Sequence, residues 1–440
     1  MPHPPPNILF LFPDQWRGDW IGAEGKVPVR TPNLDALCQR GTRFTQCRSN
    51  APVCIPSRAC LAQGVRYHRC GCPNNSYVMD AARPNLFKQL REAGYRTLTS
   101  GKCDVHAHRE FYSNTGWDAQ LGRLGFSDGI DQRGKLNSAR EPFDKVGAYV
   151  AHLRESGWMQ AHMDDYARRA EAQPTTYNAS FPTPLPRQHY TDDFTGRSAL
   201  ELLRRTPAGA PWYLWVNFPG PHDPWDAPAE LLERTRDDVF PEPVNGDAGI
   251  DHQAVRRNYA AMVAGLDDWV GWLIDAVRQR GELDNTLIVF ASDHGEMLGD
   301  HGRWTKSIWY EPSVRVPCIL AGPEVPRGAV DERLVELIDV NATILEAAGL
   351  AISQHYDARS VFGKRREWQH SALHFGPNFK AIPSWDMAFD GRWKAVTRVD
   401  DEPLLFDLQN DPEERRDCAV EHPAEVQRLR ALIEGQMPAN

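Results

Sequence analysis

The chain of 440 residues has neither a long apolar run nor a long basic run. The apolar stretch near the amino terminus covers only residues 8–12, and no basic segment precedes it. We therefore expect no signal peptide and no membrane span. The formal net charge is −9, and the scattered basic residues argue against nucleic acid or an anionic membrane as a partner. The remaining composition, with 41% hydrophobic and 25% charged residues, is typical of a globular protein with a substantial core.

The nine cysteines follow no pairing or zinc-finger pattern. Their number is odd, seven precede residue 104, and no C-x-x-C occurs. Cys70 and Cys72 form a C-x-C that lacks a partner pair at zinc-finger spacing. We therefore expect buried free thiols in a reducing, cytoplasmic setting, and neither a structural zinc site nor a cysteine-based redox function.

Strand-like and helix-like segments alternate along the chain. Apolar runs of strand length occupy residues 7–12, 211–218 and 285–291, and long helical periodicity lies between the last two. This order predicts an α/β fold with a mixed sheet sandwiched by helices. Ligands of such sheets bind beyond the carboxyl ends of the strands. The polar residues that closely follow strand-like runs are Asp14, Lys102, His222 and Asp293.

Two further segments differ from this pattern. Residues 111–188 have weak periodicity, which predicts inserted loops and short helices over one face, where we expect substrate selectivity. Residues 371–440 alternate like antiparallel strands and end in an amphipathic helical pattern. We predict a main α/β domain over residues 1–370 and a smaller α+β subdomain over residues 371–440.

The segment APVCIPSRACLAQG, residues 51–64, contains the first diagnostic motif. It resembles the signature of the sulfatase family, Cys-x-Pro-Ser-Arg followed by Leu-Thr-Gly, although the tail here is only approximate. The resemblance implies that Cys54 is oxidised to Cα-formylglycine by a formylglycine-generating enzyme. Pro56 suits the first turn of a helix, so Cys54 is expected at a helix amino terminus that favours an anion. Arg58 lies one turn further and can bind the modified side chain or a charged oxygen.

Two segments resemble the metal-binding motifs of the same family. FPDQW has Asp14 followed by Gln15 where the family has two aspartates, and an amide oxygen also suits a hard cation. DHGEMLGDHGRWTKS, residues 293–307, resembles the second motif. This resemblance implies that Lys306 is the basic residue that reaches the substrate. The Asp-His-Gly of this segment resembles the sequence found in the branch of phosphonate monoester hydrolases and choline sulfatases. Because His294 supplies an imidazole, manganese is a candidate ion besides calcium. The ligands implied for one divalent ion are Asp14, Gln15, Cys54, Asp293 and His294.

Three other matches complete the implied site. SGKCDVHAH carries Lys102 of the family's Gly-Lys-x-His, but Asp104 stands at the histidine position, so His106 or His108 takes that place. NFPGPHDPW resembles the Pro-His-x-Pro segment, in which His222 would assist the leaving group. Asn75 stands where related enzymes keep a substrate-contacting amide. The implied catalytic residues are Cys54, Arg58, Lys102, His222 and Lys306, and the implied substrate-binding residues are Asn75 and His106.

The resemblance extends from about residue 7 to residue 436, because LFDLQNDPEE near the carboxyl end is also similar to a family motif. It implies an alkaline phosphatase-like fold and metal-dependent hydrolysis of a small anionic ester, an arylsulfatase-like sulfate monoester. The alternative is a phosphonate monoester or phosphodiester hydrolase with the same site, although those enzymes tend to have Pro-Ala-Arg in place of Pro56-Ser57-Arg58. A noncatalytic binding protein of this fold would be expected to have lost these residues. A homo-oligomer is compatible with the sequence.

Overall fold

The computed structural model describes residues 5–105, 113–139, 147–172, 175–375 and 383–436. The strands of these ranges are β1 (Asn7–Leu11), β2 (Thr42–Arg48), β3 (Arg96–Gly101), β4 (Asp128–Asp131), β5 (Trp212–Asn217), β6 (Thr286–Ala291), β7 (Cys318–Ala321), β8 (Ala329–Glu336), β9 (Gln369–Leu373), β10 (Trp385–Phe389), β11 (Trp393–Arg398) and β12 (Asp401–Asp407). The α-helices are α1 (Pro32–Arg40), α2 (Cys54–Gln63), α3 (Tyr67–Cys70), α4 (Leu86–Glu92), α5 (Ala119–Leu124), α6 (Lys135–Ser138), α7 (Gly147–Glu155), α8 (Met159–Ala170), α9 (Thr191–Arg205), α10 (Ala229–Glu233), α11 (His252–Gln279), α12 (Glu311–Val314), α13 (Asp339–Ala347) and α14 (Pro423–Glu434).

Eight strands form the main sheet in the order β4-β3-β5-β1-β6-β7-β2-β8. All neighbours pair in parallel except β7, which is antiparallel to both β6 and β2. In the centre, Leu9 of β1 lies between Leu214 of β5 and Ile288 of β6. These three strands are continuous apolar runs because both faces of the sheet are covered.

The two faces of the sheet pack into separate hydrophobic cores. Leu9 and Leu11 point into the core that contains α9 and α11, whereas Ile8 and Phe10 point into the core that contains α2 and α13. This alternation follows from the period of two in a strand. The prediction of an α/β fold with a mixed sheet sandwiched by helices is therefore confirmed.

A second sheet of four antiparallel strands, in the order β12-β11-β10-β9, lies near the carboxyl end. Helix α14 packs on one face through Leu429, against Ala388 and Ala395. The other face joins the main core through Met387 and Val396. The division after residue 370 falls within β9 and stays a prediction.

The expected free thiols are confirmed, since all nine cysteines are unpaired and buried. In the described part of the chain, no helix combines the length and apolar character needed to cross a bilayer. The segment of weak periodicity contains helices α5 to α8, as expected of short helices, but it also contributes the unforeseen edge strand β4.

Candidate active site

The site lies at the carboxyl ends of four neighbouring parallel strands. Asp14 follows β1, Lys102 follows β3, Asn217 ends β5 and Asp293 follows β6. Because β3, β5, β1 and β6 are adjacent and parallel, their carboxyl ends meet at one edge of the sheet. Side chains that are up to 279 positions apart in the sequence are thereby brought together.

Helix α2 brings Cys54 to this edge. Cys54 is the first residue of the helix and its side chain is buried. The helix has no side-chain cap from Val53. Instead Asn75 accepts a hydrogen bond from the Ile55 N–H through Oδ1, at 3.0 Å. Asn75 thus lies beside Cys54 and holds the start of the helix, and its contact with a substrate stays a prediction.

Three side chains converge around the Cys54 thiol in a pattern that suits a metal ion. One ligand atom from each of Asp14, Cys54, Asp293 and His294 lies within 4.8 Å of the other three. His294 Nε2 is 3.3 Å from Cys54 Sγ, 3.6 Å from Asp14 Oδ1 and 3.7 Å from Asp293 Oδ1. All four residues are buried. The two carboxylates suit calcium, and the imidazole suits a first-row divalent ion.

Arg58, one turn after Cys54 on α2, stabilises this cluster. Its Nε donates to Asp293 Oδ2 at 2.9 Å, and Nη1 donates to Lys102 O at 2.7 Å and Asn217 Oδ1 at 2.8 Å. The guanidinium is completely buried. Its Nη2 has no hydrogen-bond partner and lies 3.5 Å from Asp14 Oδ2. Arg58 therefore orients both carboxylates and keeps one N–H available for a further oxygen.

Lys102 forms ion pairs with Asp14 and, at 3.3 Å, with Asp104. Burial disfavours its charged form, but the two carboxylates outweigh burial and raise the pKa of Lys102 well above its ordinary value. Asp104, which stands at the family's histidine position, is therefore a counterion to Lys102. His106 and His108 lie outside the described residues.

The surroundings of the Cys54 thiol favour its anion. Burial and the Asp14 carboxylate raise the pKa of the thiol, but Lys102, Lys306 and His294 outweigh them and hold it well below its usual value. The same electropositive surroundings would favour any oxyanion placed at this position.

Gln15 lies in the site, but its amide is hydrogen-bonded to protein groups. Nε2 donates to Glu296 and, at 3.1 Å, to Asp223 Oδ1. Oε1 accepts from Lys306 Nζ at 2.6 Å. Burial raises the pKa of Glu296 to about 7. The amide thus bridges two acids and one ammonium, and its role as a metal ligand stays a prediction.

Lys306 and His222 form the opposite wall of the site. Lys306 Nζ lies 2.6 Å from His222 Nε2, and His222 Nδ1 lies 2.7 Å from Asp223 O. Burial and Lys306 lower the pKa of His222, but Asp223 and Asp14 outweigh them and raise it. Both predicted residues are therefore in contact, and one hydrogen bond holds a proton between them.

Buried Lys135 fixes the loop that carries His222. Its Nζ donates to the carbonyl oxygens of His222 and Pro224, each at 2.9 Å, and forms an ion pair with Asp226. Sequence reasoning missed this residue, since it lies in the segment of weak periodicity. It also missed Asp223 and Glu296, although both lie within the segments that resemble family motifs.

The geometry agrees with comparisons to known proteins. The family model "Sulfatase" matches residues 6–350, and "N-sulphoglucosamine sulphohydrolase, C-terminal" matches residues 299–438. An arylsulfatase of Clostridium perfringens is 26% identical over 93% of this chain and 89% of its own length. A choline-sulfatase of Rhizobium meliloti is 27% identical over 94% and 82%. A solved phosphonate monoester hydrolase from Silicibacter pomeroyi superposes with a TM-score of 0.80 at 25% identity, over 98% of this chain and 95% of that chain. The chain therefore belongs to the sulfatase family and is a sulfuric ester hydrolase.

Proposed function

We propose that this protein hydrolyses an arylsulfatase-type sulfate monoester with a formylglycine derived from Cys54 and one bound divalent ion. The observation that carries the proposal is the position of Cys54 at the start of α2, with ligand atoms of Asp14, Asp293 and His294 within 4.8 Å. A thiol at a helix amino terminus beside two carboxylates, an imidazole and two lysines has no evident role in packing. A formylglycine-generating enzyme is then the partner required for maturation.

Two groups would complete the site. Hydrated formylglycine would supply one hydroxyl to attack sulfur and a second hydroxyl to release the sulfate afterwards. A calcium or manganese ion held by Asp14, Asp293 and His294 would lower the pKa of the attacking hydroxyl and offset charge on an ester oxygen.

The protein's own side chains provide the remaining charge complementarity. Arg58 keeps Asp14 and Asp293 in place and has Nη2 available, while Lys102 supplies a buried ammonium group and Lys306 a partly buried one. Three fixed cations around one anion stabilise charge that develops on the ester oxygens, because the site excludes bulk water. Asn75, which already positions the Ile55 N–H, is proposed to contact the substrate with its amide N–H groups.

The leaving group requires a proton, and we assign it to the pair of Lys306 and His222. The two nitrogens already share one hydrogen bond of 2.6 Å. His222 Nδ1 is fixed by Asp223 O, so the Nε2 side of the ring faces the site. Release of that proton to the departing alkoxide or phenoxide would leave both nitrogens neutral, with His222 Nδ1 still hydrogen-bonded to Asp223 O.

A phosphonate monoester or phosphate diester is the second candidate substrate. The observation that favours it is His294, since Asp-His-Gly resembles the phosphonate hydrolase branch, and a solved member of that group shares the fold. The same cations would bind either tetrahedral anion. Pro56-Ser57-Arg58 favours sulfate.

The ratio of kcat/KM for an aryl sulfate and the matched aryl phosphonate monoester distinguishes the two. The protein should be coexpressed with a formylglycine-generating enzyme and assayed separately with calcium and manganese. We expect sulfate to be preferred by orders of magnitude. A preference of that size for the phosphonate would overturn the sulfatase assignment and keep the site residues.

A further inference from the structure

A second cluster of side chains that could hold a metal ion lies where the small sheet meets α3. His370 lies on β9, and His374 directly follows the carboxyl end of this strand. Between them lies Ala372, which pairs directly with Asp386 of β10. Residues at i, i+2 and i+4 of a strand share one face, so both histidines lie beside Asp386. The small side chain of Ala372 leaves room for the two rings. Short helix α3 adds His68 from a position 318 residues away.

The imidazoles direct their Nε2 atoms at a single carboxylate. His68 Nε2 is 2.7 Å from Asp386 Oδ1, and His374 Nε2 is 2.7 Å from Asp386 Oδ2. His370 Nε2 is 3.1 Å from Oδ1. The ligand atoms of His68, His374 and Asp386 all lie within 4.8 Å of one another.

We propose that His68, His374 and Asp386 bind a zinc-class divalent ion, and that His370 orients the carboxylate. Two imidazole nitrogens and one carboxylate oxygen are a common zinc donor set, with a fourth position for water. Bonds of about 2.0 Å separate tetrahedral ligands by about 3.3 Å, so the two 2.7 Å contacts need to open by only about half an ångström. The site is distinct from the cluster at Cys54, since no residue is shared.

Main-chain and ring contacts restrain His374 within the cluster. The main-chain N–H of His374 donates to the Tyr67 hydroxyl at 2.7 Å, and the two rings stack with centroids 5.9 Å apart. His370 is buried, whereas the side chains of His68 and His374 are 14% and 32% exposed. An ion can therefore reach the cluster from solvent. Buried His370 holds Asp386 in place from the interior of the protein. The ion would join α3, which follows the Cys54 helix, to the small sheet.

Zinc counting on the whole protein tests this site. Chelator-treated protein, reloaded with zinc and dialysed, is compared with the variant His68→Ala/His374→Ala and with His355→Ala, which removes an exposed histidine elsewhere. We expect the double variant to hold one zinc fewer per chain than the wild type and His355→Ala. Titration should show that the affinity of the lost site falls about 100-fold or more.

Asp386→Asn keeps the size of the side chain and tests the same ligand set if the double variant does not fold. It too should lose one zinc, while the metal-dependent turnover at the Cys54 site is retained. Equal zinc content in the wild type and in both ligand variants would overturn the proposal, and the cluster would then be a hydrogen-bonded network only.

Discussion

Replacing Gln15 with Glu tests whether its amide bridges acids or binds the metal. Gln15 Nε2 donates to Glu296 and to Asp223 Oδ1. In Gln15→Glu a carboxylate oxygen replaces the Nε2 donor, so both hydrogen bonds become contacts between two oxygens. A hydrogen bond to a charged group contributes about 1.5–3 kcal/mol, so two lost bonds amount to roughly 3–6 kcal/mol. All three residues are largely buried, which limits relief by solvent.

Protonation of Glu296 returns one of those bonds. Its pKa is already about 7 because of burial, and a new neighbouring carboxylate raises it further. The expected net loss in the free energy of unfolding is therefore about 1.5–3 kcal/mol near pH 6. The loss should be larger at pH 8, since an acid whose folded pKa is raised loses stability as the pH rises through that pKa.

Urea unfolding of Gln15→Glu, Glu296→Gln and the double variant measures this coupling. The double variant restores a donor between positions 15 and 296, so it should be more stable than the sum of the single changes predicts. Unchanged stability of Gln15→Glu together with tighter metal binding would refute the bridging role and make Gln15 a ligand.

Two other predictions concern residues outside the metal cluster. Lys135→Met should lower the free energy of unfolding by about 3–5 kcal/mol, because it leaves Asp226 buried without its cation. It should also lower kcat/KM, because the loop that carries His222 loses two hydrogen bonds. Lys26→Met, at an exposed lysine, is the control, and equal kcat/KM in the folded Lys135 variant and the wild type would contradict the positioning role. Burial raises the pKa of Asp267 to about 6, so the wild type should lose stability relative to Asp267→Asn as the pH rises from about 4 to about 6, by at most about 3 kcal/mol; a pH-independent difference in unfolding free energy would contradict this.

The sequence predicted the central sheet because β1, β5 and β6 are uninterrupted apolar runs. It did not predict β4, whose residues Asp128–Asp131 are half polar, or β8, where exposed Val330 and Glu332 alternate with partly buried residues. Such edge strands are specified by pairing with a neighbour, which local composition does not show.

The site was predictable where function depends on local sequence. Asp14, Lys102 and Asp293 follow apolar strands. Cys54 begins a helix whose first turn is indicated by Pro56. The supporting residues were not predictable in this way. Lys135 reaches the His222 loop through tertiary packing 87 positions away, and His68 meets Asp386 only because the small sheet packs on α3.

Cys54, converted to formylglycine, is proposed to be the nucleophile. Protein coexpressed with a formylglycine-generating enzyme should yield a peptide that contains residues 54–58 and in which mass spectrometry finds an aldehyde in place of the thiol. This protein should turn over an aryl sulfate with added calcium or manganese. Cys54→Ala should fold, keep its thermal unfolding profile and have no turnover above background. Full activity of Cys54→Ala, or of wild-type protein whose Cys54 remains a thiol, would contradict the account.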